Sequence, residues 1–166
     1  MKRFPFLCGL FTSALAMFVG YSAVVASPRA NPGKVRPQSP NDILPPAGVV
    51  ILTPVEQYAW RVWPGGKIEY SFDSLRTWET QKSGVTVDLT GGSAPTAKIC
   101  WVIGKAGTIL LTTDQGRHWK KLVSPIADIA GIEALDGKRA SIWTASHKQS
   151  FETNDGGVTW APNVGG

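Results

Sequence analysis

Cysteine and histidine are scarce in this sequence, with two of each among 166 residues. His118 and His147 are isolated and Cys100 has no partner at ligand spacing, so no metal-binding set is predicted. If the N-terminal segment that carries Cys8 is removed, a single thiol remains and no intramolecular disulfide can form. Cys100 lies in the apolar run Ile99–Ile103, which predicts a small buried hydrophobe rather than a nucleophile.

Charge is also sparse, at 17% of the residues, and the Lys and Arg residues are not clustered on any one element. Without Lys2 and Arg3, 15 basic residues stand against 12 acidic ones, which lowers the net charge from +5 to +3. This mild excess is not the footprint of a nucleic-acid-binding protein, so no nucleic acid is expected as a partner. A hydrophobic content of 43% permits a packed core and argues against disorder.

The first 28 residues have no charge between Phe4 and Pro28, after the basic start Lys2-Arg3. Val24 and Ala26 place small residues at the −3 and −1 positions of a cut before Ser27, which is typical of a secretory signal. An uncleaved membrane anchor is the alternative, since roughly 20 apolar residues can span a bilayer. The pattern favours a signal over residues 1–26, and both alternatives export the rest of the chain to the periplasm or the medium.

Glycine and proline are plentiful, at 18 and 12 residues, and there are seven tryptophans. This composition favours many short strands joined by tight turns. Residues 27–46 are rich in Pro, Ser and Asn and are predicted to be an extended linker. Residues 47–166 are then left for one folded domain.

An internal repeat dominates that domain. "SFDSLRTW" at 71–78 returns as "TTDQGRHW" at 112–119 and as "TNDGGVTW" at 153–160. The aspartates and the closing tryptophans are both spaced by 41 residues, twice over, without insertion or deletion. The repeated residues are Asp73 and Trp78 in copy one, Asp114, Gly116 and Trp119 in copy two, and Asp155, Gly157 and Trp160 in copy three.

Each copy reads as a set of short strands. In copy two, Cys100–Ile103 and Thr108–Thr113 flank the turn Gly104–Gly107, and a further strand begins near His118. Copy three adds an earlier apolar segment, Ile129–Leu135. Four strands in about 40 residues match one propeller blade. We therefore predict an all-β fold of three four-stranded propeller-type blades, either a partial β-propeller or one completed by oligomerisation.

The repeated octapeptide has a physical account as a turn. An Asp side chain accepts hydrogen bonds from backbone N–H groups two residues on, which fixes a bend. Gly116 and Gly157 tolerate a positive φ, and the closing tryptophan is a large plate that packs between sheets. Copy one has Leu75 in the glycine position, which predicts a strained or differently shaped turn.

These residues carry a resemblance. Ser/Thr-x-Asp-x-Gly-x-Thr-Trp after a strand resembles the Asp-box, or bacterial neuraminidase repeat. The longer "CWVIGKAGTILLTTDQGRHW" is similar to repeats of the photosystem II assembly and stability factor family. The resemblance covers residues 47–164 and implies a scaffolding propeller without a cofactor, in which the Asp boxes are structural. Similar bacterial domains at the ends of membrane-anchored regulators imply a sensory or regulatory ectodomain as an alternative.

A carbohydrate-binding or sialidase-like module is the enzyme-class alternative, because sialidases also carry Asp boxes. Those enzymes need an arginine cluster, a Tyr–Glu nucleophile pair and an acid. Arg76 and Arg117 lie inside the octapeptide turns, and no matching motif surrounds the remaining candidates. These candidates are Arg61, Arg139, Tyr58, Tyr70, Glu56 and Glu69. No catalytic residue is therefore assigned, and the protein is expected not to be an enzyme.

One group of charged residues remains, which we call the lysine rim. In a blade, the loop before the aspartate turn lies on the opposite face, and the three such loops each contain a lysine: Pro64–Lys67, Gly104–Gly107 and Ser146–Gln149. Segments leaving the blades add further lysines to that side. The rim comprises Lys67, Lys82, Lys105, Lys120, Lys121 and Lys148. It predicts a docking face for an acidic protein partner, with ordinary solubilising charge as the alternative.

Three blades are too few to close a ring, and the terminal blades would leave open edges. A homodimer that pairs three blades with three to make a six-bladed ring is one solution. The other is an open unit capped by its own N-terminal segment, with the apolar Gly48–Leu52 as the outermost strand.

Overall fold

The computed structural model describes residues 48–163. The predicted signal or anchor (residues 1–26) and the predicted linker (residues 27–46) lie outside the described residues. Between residues 48 and 163 no helix is long and apolar enough to cross a membrane.

Twelve strands in the described range form three antiparallel sheets of four strands, each in chain order. Blade 1 comprises β1 (Val49–Leu52), β2 (Ala59–Val62), β3 (Ile68–Ser71) and β4 (Glu79–Gln81). Blade 2 comprises β5 (Leu89–Ser93), β6 (Cys100–Gly104), β7 (Thr108–Thr112) and β8 (Lys120–Leu122). Blade 3 comprises β9 (Gly131–Ala134), β10 (Ala140–Trp143), β11 (Ser150–Thr153) and β12 (Ala161–Pro162). The prediction of three four-stranded blades is confirmed.

The strands form where the sequence repeats its apolar runs. Both central strands of blade 2, β6 and β7, are buried along their whole length because another blade covers each face of their sheet. The turn between them places Ala106 and Gly107 at φ of 54° and 65°. This backbone shape reverses the chain, so that β7 pairs antiparallel with β6.

The first strand of each blade lies innermost. Ile51 of β1 packs on Gly92 of β5, and the backbone N–H of Ala134 in β9 donates to Ser93 Oγ at 3.0 Å. Gly92 has no side chain to hold these strands apart, so the inner strands approach closely. The expectation that Gly48–Leu52 forms the outermost strand was therefore wrong: Val49–Leu52 is an edge strand, but it lies on the inner side.

Two hydrophobic cores hold the blades together, and blade 2 contributes to both. The first core packs Trp60, Val62, Ile68 and Tyr70 of blade 1 against Cys100, Val102 and Leu110 of blade 2. The second packs Trp101, Ile103, Ile109 and Leu111 of blade 2 against Ile132, Ala140 and Ile142 of blade 3. Adjacent residues of one strand point to opposite faces, so a near-continuous apolar strand serves both interfaces.

Candidate functional site

Each of the three aspartate turns is held by the same pattern of hydrogen bonds. In blade 2, Thr112 Oγ1 donates to Asp114 Oδ1 at 2.9 Å and accepts from the N–H of Gly116 at 2.8 Å. The N–H of His118 donates to Asp114 Oδ1 at 3.0 Å. Asp73 and Asp155 accept from the equivalent N–H groups at 2.9 Å each. The aspartate therefore accepts from an N–H four residues on rather than the expected two, because the two residues that follow it have positive φ and turn the chain back over its side chain.

The fourth residue after each aspartate also contacts the carboxylate through its side chain. Thr77 and Thr159 donate their hydroxyls to the second carboxylate oxygen at 2.7 and 2.6 Å. His118 takes this place in blade 2, with Nδ1 at 2.6 Å from Asp114 Oδ2 and the ring 89% exposed. The hydrogen bond from the His118 ring, followed by that from its N–H, lowers the pKa of Asp114 to about 2. In blade 3 the hydroxyl and N–H of Thr159 lower the pKa of Asp155 to about 2.

All three turns have the same backbone shape. The two residues after each aspartate have positive φ, at 60° and 68° for Ser74 and Leu75 and at 64° and 79° for Gln115 and Gly116. Leu75 thus adopts a conformation that is strained for a branched residue, and the turn keeps its shape. A Cβ at Gly116 would overlap the Gln81 side chain, and one at Gly157 would lie 2.6 Å from Leu122 Cδ1. These two glycines therefore permit the close packing between blades as well as the positive φ.

The closing tryptophans have two kinds of environment. Trp119 packs against the core between blades 1 and 2, and its Nε1 donates to Gln81 Oε1 at 3.3 Å. Trp160 packs against the second core, edge-on to Trp101 at 6.4 Å between ring centroids. Trp78 lies over Arg61 instead, with the guanidinium carbon 4.2 Å from its ring centroid.

Arg61 is the centre of a cluster that the sequence analysis missed. Its guanidinium lies between Trp78 and Trp63, 4.9 Å from the Trp63 centroid, and contacts Glu69 Oε2 at 2.7 Å. Trp63 Nε1 donates to the same oxygen at 2.7 Å, and Lys67 Nζ lies 2.8 Å from Glu69 Oε1. Burial acts to raise the pKa of Glu69, but these hydrogen bonds outweigh it and lower that pKa. Residues 61 and 69 are brought together only by the register of β2 and β3, so no local sequence pattern indicated this cluster.

The side of the blades opposite the aspartate turns, which we call the lysine face, carries four of the six rim lysines. Lys105 Nζ contacts Asp88 Oδ2 at 2.7 Å, and Asp88 Oδ1 accepts from the N–H of Gly65 at 3.0 Å. The hydrogen bond from Lys105 lowers the pKa of Asp88. Lys67 pairs with Glu69, whereas Lys82 and Lys148 are exposed and have no ion pair within the described range.

The remaining rim residues, Lys120 and Lys121, lie elsewhere. They belong to β8, the outer edge strand of blade 2, opposite Leu111 and Leu110 of β7. Both are exposed. They therefore line the outer edge of the blade, and the rim is not one continuous ring on the lysine face.

A groove runs along the lysine face between blades 2 and 3. It consists of two adjoining cavities of about 530 Å³ each, which share Asp128 and Ala145. Lys105 lies in the first cavity and Lys148 in the second, with Asp128 between them. The other lining residues are mostly small, among them Ala106, Ala127, Ala130 and Ser146.

The candidate pair Tyr70 and Glu69 is not brought together. Glu69 and Tyr70 are adjacent in β3 and point to opposite faces; the Tyr70 hydroxyl donates to the Ala97 carbonyl at 3.2 Å. Cys100 is fully buried, which raises the pKa of its thiol well above the ordinary value. Among residues 48–163, no three His, Cys, Asp or Glu side chains come together as metal ligands.

Comparison with known proteins finds no family model and no curated protein that matches the sequence. Solved structures do match. A structure of YCF48 bound to D1 peptide has a TM-score of 0.59 at 23% identity, over 71% of this chain and 40% of that one. YCF48 from Cyanidioschyzon merolae has a TM-score of 0.59 at 24% identity, over 72% of this chain and 38% of that one. A Niastella koreensis GH74 enzyme has a TM-score of 0.55 at 15% identity, over 69% of this chain and 17% of that one.

The chain thus spans about two fifths of the YCF48 structures and less than a fifth of the GH74 enzyme. At these identities the likeness concerns the fold. The three blades form part of a β-propeller.

Proposed function

We propose that this chain is an exported, non-enzymatic module of the Asp-box type that binds another protein through the groove on its lysine face. The observation that carries the proposal is the groove between blades 2 and 3, with an exposed lysine in each of its two cavities. The fold supports it, since a propeller with the same blade arrangement has been solved with a D1 peptide bound. The assembly or scaffolding role implied by the sequence resemblance belongs to the same proposal.

The groove favours an extended acidic segment. Small alanine side chains along its floor leave room for a peptide backbone to approach closely. Lys148 offers positive charge in one cavity and Lys105, which also contacts Asp88, in the other, and Asp128 lies between them. A partner with acidic residues at both ends of the segment and a neutral or basic residue in the middle would match this order of charges.

Charge reversal on the two faces of the blades tests this proposal. The partner is first captured from the cell envelope by cross-linking, and its affinity for purified variants is then titrated. Lys105→Glu/Lys148→Glu should weaken binding by about tenfold or more, because each reversal places like charges together. Lys98→Glu/Lys138→Glu is the matched control: both lysines are exposed, in loops on the aspartate-turn side. Equal affinities of the two double variants would refute the groove as the binding site.

Export is part of the proposal, and it is supported by the basic start and uncharged run of residues 1–28. Mass spectrometry of the mature N-terminus checks it. A chain that begins at Ser27 is expected for a secreted module. An intact Met1 in the membrane fraction would instead favour the anchored sensory or regulatory ectodomain.

A carbohydrate-binding module is the second candidate, favoured by a cleft on the aspartate-turn side between blades 1 and 2. This cleft is lined by aromatic and amide side chains, among them Tyr58, Phe72, Gln81 and Gln115. Flat aromatic rings beside hydrogen-bonding amides can hold a sugar ring. A glycan array and a fluorogenic sialoside assay address this candidate. Glycan binding that is abolished by Phe72→Ala would favour it over the lysine-face groove.

A further inference from the structure

The open face of blade 1 breaks the pattern of the internal interfaces. The strand register places Val50, Arg61 and Glu69 in one row across this sheet face. In blade 2 the positions of Arg61 and Glu69 are occupied by Val102 and Leu110, which pack on blade 1. Ile142 and Phe151 occupy them in blade 3 and pack on blade 2. Only blade 1 has charged residues where the other blades have an apolar contact.

The open face of blade 3 breaks the pattern in the opposite sense. Its register places Glu133, Ser141 and Glu152 in one row, and both glutamates are exposed. The positions of Ser141 and Glu152 are occupied by Trp60 and Tyr70 in blade 1 and by Trp101 and Leu111 in blade 2. Those residues are buried and pack against the following blade. Blade 3 therefore has a serine and a glutamate where the other two blades present aromatic and aliphatic side chains, and Glu133 adds a second acid beside them.

The two open faces are complementary if blade 1 of a second copy packs on blade 3 in the way that blade 2 packs on blade 1. Inside the chain, the row of Val102 and Leu110 packs on the row of Trp60 and Tyr70. Blade 1 of a second copy, placed on blade 3 by the same step, would bring its Arg61 row onto the row of Glu133 and Glu152. The blade 1 face carries Arg61 and Lys67 against the single acid Glu69, whereas the blade 3 row carries two acids.

The turn position of blade 1 differs from the turn positions at the inner joints. The inner joints place a large residue of one blade on a glycine of the next: Gln81 on Gly116, and Leu122 on Gly157. At a joint between blade 3 and blade 1 of a second copy, Asn163 is the residue equivalent to Gln81 and Leu122. Leu75 is the residue equivalent to Gly116 and Gly157. Leu75 therefore presents a side chain where the inner joints have glycine, and it is 41% exposed on blade 1. The exposed Val50 and Leu52 of the same blade would also be covered.

We propose that two copies of this chain close a ring, with blade 1 of each copy packed on blade 3 of the other. Two identical joints satisfy two-fold symmetry and leave no blade face open. The joint uses charge pairing where the internal interfaces use apolar packing, so the free chain does not expose a large hydrophobic surface. This proposal goes beyond partner binding and does not depend on it, because dimer formation is measured with the purified chain alone.

Sedimentation equilibrium on the purified chain tests the ring. At concentrations up to about 100 μM, where a contact with a micromolar Kd is saturated, the mass should reach twice the chain mass and stop there. Glu133→Lys/Glu152→Lys should raise the dimer Kd by about tenfold or more through like-charge contact with Arg61. Glu79→Lys/Asp128→Lys is the matched control, since it changes the net charge equally at exposed positions away from both open faces. It should leave the Kd within about twofold of the original.

Leu75→Asp provides a second, independent variant. Asp is better tolerated than Leu at positive φ, so the monomer should keep its fold, as judged by circular dichroism, while the dimer weakens. Three results would each overturn the proposal: a monomer at the highest concentration, a mass that keeps growing beyond the dimer, or a dimer that resists both Glu133→Lys/Glu152→Lys and Leu75→Asp. Reversal of Lys105 and Lys148 should leave the dimer intact, so failure of the partner-binding proposal remains distinguishable from failure of this one.

Discussion

At the scale of single residues, His118 shows how a side chain of different chemistry can keep a repeated role. Threonine hydroxyls contact the carboxylate in two of the turns, and an imidazole nitrogen does so in the third. Because the pKa of Asp114 lies at about 2, below the ordinary 3.8, its ionised form is favoured by folding. The resulting stabilisation is complete above the ordinary pKa and is lost as the pH falls from about 4 to 2.

We therefore predict that His118→Ala raises the pKa of Asp114 toward its ordinary value, because the largest of the contacts that lower it is removed. His118→Thr should keep the pKa low, since the threonine hydroxyl can donate as Thr77 and Thr159 do. Carbon-13 titration of the aspartate carboxyl measures both. A pKa that stays near 2 in His118→Ala would show that the backbone N–H alone holds the carboxylate.

At the scale of the turn, substitutions at two adjacent glycines distinguish the cost of backbone strain from the cost of disturbed packing between blades. Gly156 and Gly157 both have φ of 78°. A Cβ at Gly156 would lie 3.2 Å from the Gly137 carbonyl oxygen of the same blade, whereas one at Gly157 would lie 2.6 Å from Leu122 Cδ1 of the neighbouring blade. Gly156→Ala should cost about 1–2 kcal/mol of unfolding free energy for the left-handed conformation. Gly157→Ala should cost a further 1–3 kcal/mol or so, because Leu122 must move. Urea denaturation of the two variants measures the difference, and equal losses would contradict the packing role.

The blades were predictable from the sequence because the 41-residue spacing repeats without a gap, and β6 and β7 begin where the apolar runs begin. It was harder to predict from the sequence which strand of each blade lies innermost. The inner position of Val49–Leu52 depends on contacts with Gly92 more than 40 residues along the chain. The Arg61 cluster required the register of β2 and β3, which pairs residues 61 and 69. Local patterns give no information on such long-range pairings.

The candidate site was likewise predictable only in part. The loops that carry Lys67, Lys105 and Lys148 were identified from their place before each aspartate turn. The ion pair between Lys67 and Glu69 was not identified, although the two residues are close in sequence. Nor was the ion pair of Lys105, since Asp88 comes from the segment before β5. Lys120 and Lys121 lie within an edge strand and not in the segment that leaves the blade, because β8 spans Lys120–Leu122.

At the scale of the whole molecule, stability is divided between two cores that share only blade 2. Ile109 and Leu110 are neighbours in β7, both fully buried, and they point into different cores. Each replacement by alanine should cost about 2–5 kcal/mol, from lost burial and the cavity left behind. In a repeat array, a local loss mainly loosens the adjoining unit. Ile109→Ala should therefore speed native-state hydrogen exchange most in β10 and β11, and Leu110→Ala in β2 and β3. If both variants loosen all three blades equally, the blades unfold as one cooperative unit and this division is wrong.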